Sequence, residues 1–285
     1  MLPDIPFLRI NPSRIQGDLN SFAKFTDPEK PYTRRAFTPL YQQARIWLRS
    51  RMVDAGLETR VDAAGNLIGR IEGQMNSKSV LMMGSHTDTV ERGGRFDGIV
   101  GVVGALEVAR CLQESGVHLQ QSLEIVDFVC EEPTIVNLSP LGSRTMAGDV
   151  TPDMIAAASA PSGQSLGLAI ADLGGQVDQL GKARRNPGDI AAFLELHIEQ
   201  GSVLERAGLE VGVVTVVAGP CRGSVRITGV ADHAGATSMT ERRDALAGAS
   251  EFVLEVERIV STPDLIQESV GTVGSLTVSP NMVNV

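Results

Sequence analysis

The sequence predicts an α/β protein in which helices cover a central sheet, followed by a smaller α+β domain. Apolar runs without polar alternation, such as residues 79–84, are typical of buried strands, and they alternate with helical patterns such as residues 99–112. That alternation is typical of a sheet covered by helices. After Gly212 the pattern changes to alternating β-branched residues. We therefore expect two domains, residues 1–212 and residues 213–285.

Each element of the first domain is predicted by a local pattern. Thr38 and Pro39 are typical of a helix start and Gly56 of a helix end, and the apolar residues between them recur at helical spacing. Two strand-like runs, residues 57–61 and 67–71, flank a turn that contains Gly65 and therefore predict a hairpin. The remaining strands are predicted at residues 79–84, 123–130 and 191–197. A helix is predicted at residues 99–112, and helical residues are expected at 203–204.

The second domain is predicted to contain strands and one long helix. Alternating β-branched residues indicate strands at residues 213–217, 224–230 and 273–278, and helical spacing indicates a helix at residues 243–259. Within the first domain, residues 173–189 are the most linker-like stretch because they combine glycines, basic residues and a proline.

The composition argues against several classes of protein. The 34 acidic residues outnumber the 25 basic ones, the net charge is −9 and no basic run occurs, so we expect no nucleic-acid partner. The longest apolar stretches fall short of the ~18–20 residues of a membrane helix, and no export signal is recognisable, so we expect no membrane partner. Cys111, Cys130 and Cys221 form no CxxC pair and predict thiols in or near the core, in a reducing cytoplasm.

The first chemically informative segment follows the buried strand at residues 79–84. His86 can bind a metal through one ring nitrogen while the Asp88 carboxylate accepts a hydrogen bond from the other. A loop histidine bonded to Asp88 without a metal explains the segment equally well. Asp97 lies in a glycine-rich frame just before a helix, where an ordinary N-cap is an alternative to a metal ligand.

Two later strands end in further ligands. Glu131 and Glu132 follow the strand at residues 123–130, and adjacent carboxylates repel each other unless a cation or a shared proton relieves them. One of them can bind a metal while the other moves protons. In the strand at residues 191–197, strict alternation puts His197 on the same face as Glu195. Histidines with several carboxylates suit Zn, Mn, Co or Ni better than Ca or Mg.

Four motifs together resemble one family. GSHTDTVERGGRFDGIVGVVGALEVAR, EEPTIVNLSPLGSR, LELHIEQGSVLE and DHAGATSMTERRDAL resemble, in this order, the dinuclear-metal amidohydrolases. That family includes N-carbamoyl-L-amino-acid hydrolase, β-ureidopropionase and allantoate amidohydrolase, a branch of the aminoacylase and carboxypeptidase clan. The resemblance implies an aminoacylase-like, zinc-peptidase-like α/β domain with an inserted α+β lid and dimerisation domain.

The resemblance also implies a role for individual residues. Two divalent metal ions per active site, Zn or else Mn, Co or Ni, would be held by four ligands, of which Asp97 bridges. The complete implied set is His86, Asp97, Glu132 and His197 as metal ligands, Glu131 as general base with Asp88 supporting the site, and Gln200, His233 and Asn284 as substrate contacts. The last two typically reach the site of a partner subunit, although His233 is also explained as an ordinary turn residue.

The function that the resemblance implies is metal-dependent hydrolysis of a linear amide C–N bond. The substrate would be an N-carbamoyl-L-amino acid or an allantoate-like ureido acid, and the protein would be a homodimer. An aminoacylase or peptidase acting on N-acyl amino acids is the alternative enzyme, and a truncated non-catalytic subunit is the alternative outside enzymes. Family members continue beyond Val285 with an arginine and another metal-binding histidine. We therefore expect residues 1–285 to be incomplete at the C-terminus and, alone, to hydrolyse little.

Overall fold

The computed structural model describes residues 8–75, 77, 79–133, 138–160, 162–217, 219, 221–262 and 269–284. The chain divides into two compact units, Met1–Ser202 and Val203–Val285. This division lies close to the domain boundary predicted at residue 212. The assignment of residues 213–285 as a lid and dimerisation domain stays a prediction.

The first unit contains one mixed five-stranded sheet. The strands are β1 (Glu58–Val61), β2 (Leu67–Ile71), β3 (Val80–His86), β4 (Ser122–Phe128) and β5 (Ile190–Leu194). Their order is β1-β2-β4-β3-β5. Strand β3 runs parallel to both β4 and β5, whereas β2 is antiparallel to β1 and β4. The three parallel strands therefore end at the same edge of the sheet, and the predicted hairpin is confirmed.

Helices complete this mixed α/β unit. They are α1 (Pro12–Phe22), α2 (Pro39–Asp54), α3 (Ile99–Glu114), α4 (Leu141–Ala147), α5 (Pro152–Ala156), α6 (Leu166–Asp172) and the 3₁₀ helix η1 (Val177–Ala183). The predictions of α2 and α3 are confirmed. The prediction of a linker at residues 173–189 is wrong over η1, because Leu180 and Ala183 of this helix are buried in the core.

Three clusters of buried apolar side chains hold the sheet and its helices together in the part of the chain that the structure describes. In the largest one, α1, α2 and α3 pack against the sheet through residues such as Phe22, Leu48 and Leu106. A second core lies where β4 ends, and it packs Val129 and Cys130 with the first residue of α4, Leu141. Helix packing therefore supports the segment of chain that leads into the paired glutamates.

The second unit contains the helices α7 (Val203–Ala207) and α8 (Ala245–Val260), which confirms the predicted helix at residues 243–259. Asp244 caps α8 by accepting from the backbone N–H groups of Leu246 and Ala247. The three strands predicted in this unit are wrong: the described residues of 213–217, 224–230 and 273–278 form none. Side chains such as Val213 are exposed, and a strand exists only with a hydrogen-bonded neighbour.

No helix among the described residues is long and apolar enough to cross a membrane. Cys111 and Cys130 are buried free thiols, as predicted. Cys221 is exposed, so the prediction that it lies in or near the core is wrong.

Candidate metal centre

The site is built around His86, the last residue of β3. Its side chain is only 3% exposed. Gly98, which precedes α3, has a positive φ of 67°, and a Cβ atom there would lie 2.5 Å from the His86 ring. The absence of a side chain at Gly98 therefore lets the start of α3 pack directly against the imidazole. This packing brings the neighbouring Asp97 to the end of β3.

Asp97 faces a second imidazole across the site. Its Oδ1 atom lies 3.2 Å from Nε2 of His197, and its Oδ2 atom accepts a hydrogen bond of 2.9 Å from Gln200. The N-cap position of α3 is Gly98 and no side chain caps the helix, so the alternative role of Asp97 as an N-cap is wrong. The buried Oδ1 atom accepts no hydrogen bond from the residues that the structure describes.

The approach of His197 depends on a glycine of α3 and on Glu195. A Cβ atom at Gly101 would lie 2.5 Å from the backbone oxygen of Leu196 and 2.7 Å from Cβ of Ser85. The hydroxyl of Ser85 donates a hydrogen bond to the Glu195 carboxylate. The segment after β5 is therefore held against β3 and α3. Sequence reasoning gave Glu195 no role, although the alternation placed it on the same face as His197.

Both imidazoles are oriented by a backbone carbonyl. Nδ1 of His86 lies 3.0 Å from the carbonyl oxygen of Asp88, and Nδ1 of His197 lies 2.9 Å from that of Ile198. A carbonyl oxygen only accepts, so each Nδ1 carries a proton and Nε2 is the ring nitrogen left to bind a metal. Nε2 of His86 faces Oε2 of Glu131 at 3.6 Å. A cation between Nε2 and a carboxylate would take the place of a proton there.

Asp88 holds the paired glutamates rather than the histidine ring. Its Oδ1 accepts a hydrogen bond of 3.2 Å from the backbone N–H of Glu131, and its Oδ2 accepts one of 3.1 Å from that of Glu132. The expected bond between its carboxylate and His86 is wrong, because Oδ1 lies 3.7 Å from Nδ1 and the carbonyl oxygen takes the proton instead. Burial raises the pKa of Asp88 to about 6, although His86 and the two backbone donors oppose this shift.

The two glutamates have different surroundings. The Glu131 side chain is 40% exposed. Burial raises the pKa of Glu132 to about 7; His86 opposes this shift, whereas Glu131 and Asp97 add to it. Burial lowers the pKa of His86, but the charges of Asp88, Glu131 and Glu132 outweigh it, so that this pKa is raised. Cys130 is buried, and burial raises the pKa of its thiol well above the usual value, which disfavours a nucleophilic thiolate there.

Two groups of metal-ligand side chains share His86. The first is His86, Asp97 and His197, and the second is His86, Glu131 and Glu132; within each group the ligand atoms lie within 4.8 Å of one another. All five side chains come from the ends of β3, β4 and β5 or from the segments that follow these strands. Sequence reasoning had singled out all five.

The comparisons with known proteins match this chain to metal-peptidase and amidohydrolase sequences. The model of peptidase family M28 matches residues 66–159. N-carbamoyl-L-amino acid amidohydrolase from Geobacillus stearothermophilus is 42% identical over 258 residues, which are 90% of this chain and 62% of that protein. Allantoate amidohydrolase from Bacillus subtilis is 36% identical and covers 89% of this chain and 60% of its own length.

A solved structure decides the family. The hydantoinase/carbamoylase family amidase from Burkholderia ambifaria superposes with a TM-score of 0.81 at 33% identity, and the match covers 97% of this chain and 67% of that one. The chain belongs to the hydantoinase/carbamoylase family of amidases. It spans 62% of the length of the Geobacillus amidohydrolase.

The remaining site residues predicted for this family member are divided between the two units. Gln200 does reach the centre, where it donates to Asp97. His233 and Asn284 lie in the second unit, where the backbone N–H of Ala234 donates to the carbonyl oxygen of Asn284. Nδ1 of His233 accepts from the backbone of Gly235 and Ala236, both at 3.1 Å, which is the geometry of a turn residue. Their contacts with substrate stay a prediction.

Proposed function

We propose that this chain carries the dinuclear metal centre of an amidohydrolase that cleaves a linear amide C–N bond in N-carbamoyl-L-amino acids or allantoate-like ureido acids. The observation that carries the proposal is the convergence of five ligand side chains, which form two overlapping groups around His86. The relatives that act on carbamoyl amino acids and on allantoate support this class of substrate.

The donor atoms fit a pair of transition-metal ions. Each imidazole turns Nε2 towards a carboxylate, and Oδ1 of Asp97 is buried without a hydrogen bond from the described residues. We assign His86, Asp97, Glu132 and His197 as the residues that would hold the ions. Nitrogen and carboxylate ligands suit Zn, or Mn, Co or Ni. Such ions, when bound, polarise a carbonyl and lower the pKa of water.

Glu131 is assigned as the general base. Its side chain is partly exposed, so it can meet an incoming water molecule, and it lies 3.6 Å from the ring of His86. The carboxylate takes a proton from the attacking water and returns it to the leaving nitrogen. With a carbamoyl substrate, one water and one substrate molecule give the amino acid, carbon dioxide and ammonia. Asp88 keeps this carboxylate in place through the backbone of Glu131.

Substrate binding and assembly form the rest of the proposal. Gln200 lies beside Asp97 and can contact substrate at the centre. We assign His233 and Asn284 to substrate binding in the site of a partner subunit, within a homodimer. A cytoplasmic location agrees with the buried free thiols of Cys111 and Cys130.

A hydrolysis panel tests the proposal. The protein is incubated with N-carbamoyl-L-amino acids, allantoate and N-acetyl-L-amino acids, each with Zn, Mn, Co or Ni and again with an excess of chelator. We expect metal-dependent release of ammonia from a carbamoyl or ureido substrate. Preferential hydrolysis of the N-acetyl compounds would instead identify an aminoacylase, and metal binding without any turnover would favour a non-catalytic subunit.

A further inference from the structure

A buried amide outside the proposed metal centre holds the segment that carries the paired glutamates. Asn66, directly before β2, is 0% exposed. Its Oδ1 atom accepts a hydrogen bond of 3.0 Å from the backbone N–H of Val129. Its Nδ2 atom donates to the Asp62 carboxylate at 2.8 Å and to the carbonyl oxygen of Gly142 at 3.3 Å. One side chain therefore joins the hairpin turn, the end of β4 and the start of α4.

The point where Val129 is held is the point where the chain turns towards the glutamates. Strand β4 ends at Phe128, and Cys130 adopts a positive φ of 51°, which is uncommon for a residue other than glycine. The N–H of Leu141 donates to the carbonyl oxygen of Cys130, and that of Gly142 donates to Val129, both at 2.9 Å. Such a backbone conformation persists only where its surroundings over-determine it.

The asparagine is itself fixed by the hairpin turn. One oxygen of Asp62 accepts from the backbone N–H groups of Ala64 at 3.0 Å and Asn66 at 2.9 Å. Strand β2 begins at Leu67, which pairs with Asp127 two residues before Val129. The position of the amide relative to β4 is therefore set by the register of the sheet.

The space around the Asn66 amide leaves no room for a side chain at Gly142. A Cβ atom at Gly142 would lie 2.0 Å from Oδ1 of Asn66 and 2.7 Å from the backbone nitrogen of Val129. A methyl group there must displace the amide from the end of β4. Gly142→Ala is thus an independent way to break the same contact while Asn66 stays intact.

We propose that Asn66 is a positioning residue that determines where the carboxylates of Glu131 and Glu132 lie, and hence how tightly the centre binds metal. The inference rests on the proposed function, because it takes these glutamates as part of a metal centre. Loss of the amide leaves the buried N–H of Val129 without its acceptor and frees the turn at Cys130. Mutation of a residue that holds a metal ligand in place typically lowers metal affinity by about 10–100-fold.

The test measures metal binding and folding in the same variants. Zinc affinity is obtained by competition with a chromophoric chelator, the ligand field from the absorption spectrum of the cobalt-loaded protein, and stability from the melting temperature of the metal-free protein. For Asn66→Ala and Gly142→Ala we expect zinc affinity to fall by about 10-fold or more and the cobalt spectrum to change.

Two further variants separate positioning from a general loss of stability. Met52→Ala removes a buried side chain from the core that α1, α2 and α3 form with the sheet, and it should lower the melting temperature without changing zinc affinity. The exchange Asp62→Asn with Asn66→Asp keeps one charge and restores an acceptor for Val129, so it should recover much of the zinc affinity that Asn66→Ala loses.

The outcomes distinguish the inference from the proposed function. Wild-type zinc affinity and cobalt spectrum in folded Asn66→Ala or Gly142→Ala, or an equal loss of affinity in Met52→Ala, would overturn the positioning role alone. If the wild-type protein binds no zinc, or binds it undiminished after His86→Ala, both the centre and the inference are wrong.

Discussion

Glu131 and Glu132 are neighbours in sequence, yet their surroundings differ. Glu131 is 40% exposed and faces the ring of His86, whereas burial raises the pKa of Glu132 to about 7. A general base must be accessible to water, whereas a metal ligand must be fixed in position. This difference supports the assignment of Glu131 to proton transfer and Glu132 to metal binding.

The first prediction separates these two roles. Glu131→Gln should keep metal and lose about 10²–10⁴-fold in turnover, because proton transfer contributes that much in typical enzymes. Glu132→Gln should lower metal occupancy first. Metal analysis and kinetics on both variants provide the measurement, each variant serving as the control for the other. Loss of metal in Glu131→Gln with full occupancy in Glu132→Gln would reverse the assignment.

The second prediction concerns Asp88, which holds the backbone of both glutamates. In Asp88→Asn one oxygen is replaced by an NH₂ group that faces a backbone N–H, so one of the two hydrogen bonds is lost. We expect metal affinity to fall by about 10–100-fold, measured by chelator competition. Asp54→Asn removes the same charge from an exposed position and should have no effect. Equal affinities in the two variants would exclude this role of Asp88.

At the scale of elements, the loop from β3 to α3 brings the chain back to the end of β3. Asp97 follows His86 by eleven residues and still lies within ligand distance of it, because Gly98 lets the first turn of α3 pack on the ring. The position of a single helix start therefore brings a carboxylate to the end of the preceding strand.

The third prediction tests that packing with a matched pair of glycines. Gly98→Ala should weaken metal binding, because the new methyl group collides with the His86 ring. Gly116→Ala, just beyond the other end of α3, imposes a similar backbone strain at φ 63° but meets no atom within 4 Å. Both variants should lose stability in thermal unfolding, and only Gly98→Ala should also lose metal affinity. Unchanged affinity in Gly98→Ala would show that the ring can move without consequence.

The elements that sequence patterns predicted wrongly have a common cause. The β-branched runs at residues 213–217 and 273–278 favour strands locally, but a strand also requires a hydrogen-bonded partner, and the described residues of these runs have none. Helix α1, in contrast, was not predicted although Asn11 caps it and Pro12 begins it. The apolar pattern of α1 is weak, and the helix is stabilised by its ion pairs and by its packing against α3.

At the scale of the whole molecule, metal binding should contribute to folding stability. A ligand that binds only the folded state stabilises it by mass action, by about 2.7 kcal/mol when its concentration is 100 times its Kd. We therefore expect zinc to raise the melting temperature and chelator to reverse the rise. His86→Ala should abolish this response, because His86 belongs to both groups of ligands. A zinc-dependent rise that survives in His86→Ala would place the metal elsewhere.

The last prediction concerns assembly. The second unit exposes many apolar side chains, including Val213, Val214 and Leu254, and α8 contains no buried residue. Exposed apolar surface of this kind is typical of interaction sites, so we expect homodimers that pair through this unit. Light scattering at several protein concentrations measures the mass. A monomer with full activity would contradict both the dimer and the assignment of His233 to a partner's site.

The sequence alone determined the residue types of the centre and the order in which strands and loops present them. Side-chain periodicity, helix caps and turns act over a few residues, and so local patterns could single out His86, Asp97, the pair Glu131 and Glu132, and His197 as candidates. The resemblance to the family supplied the role of each. Only the tertiary structure decided that the Asp88 carboxylate serves the glutamates and that Asn66 holds Val129. These partners are 43 to 63 residues apart, and strand order and register bring them together. No local pattern encodes that juxtaposition.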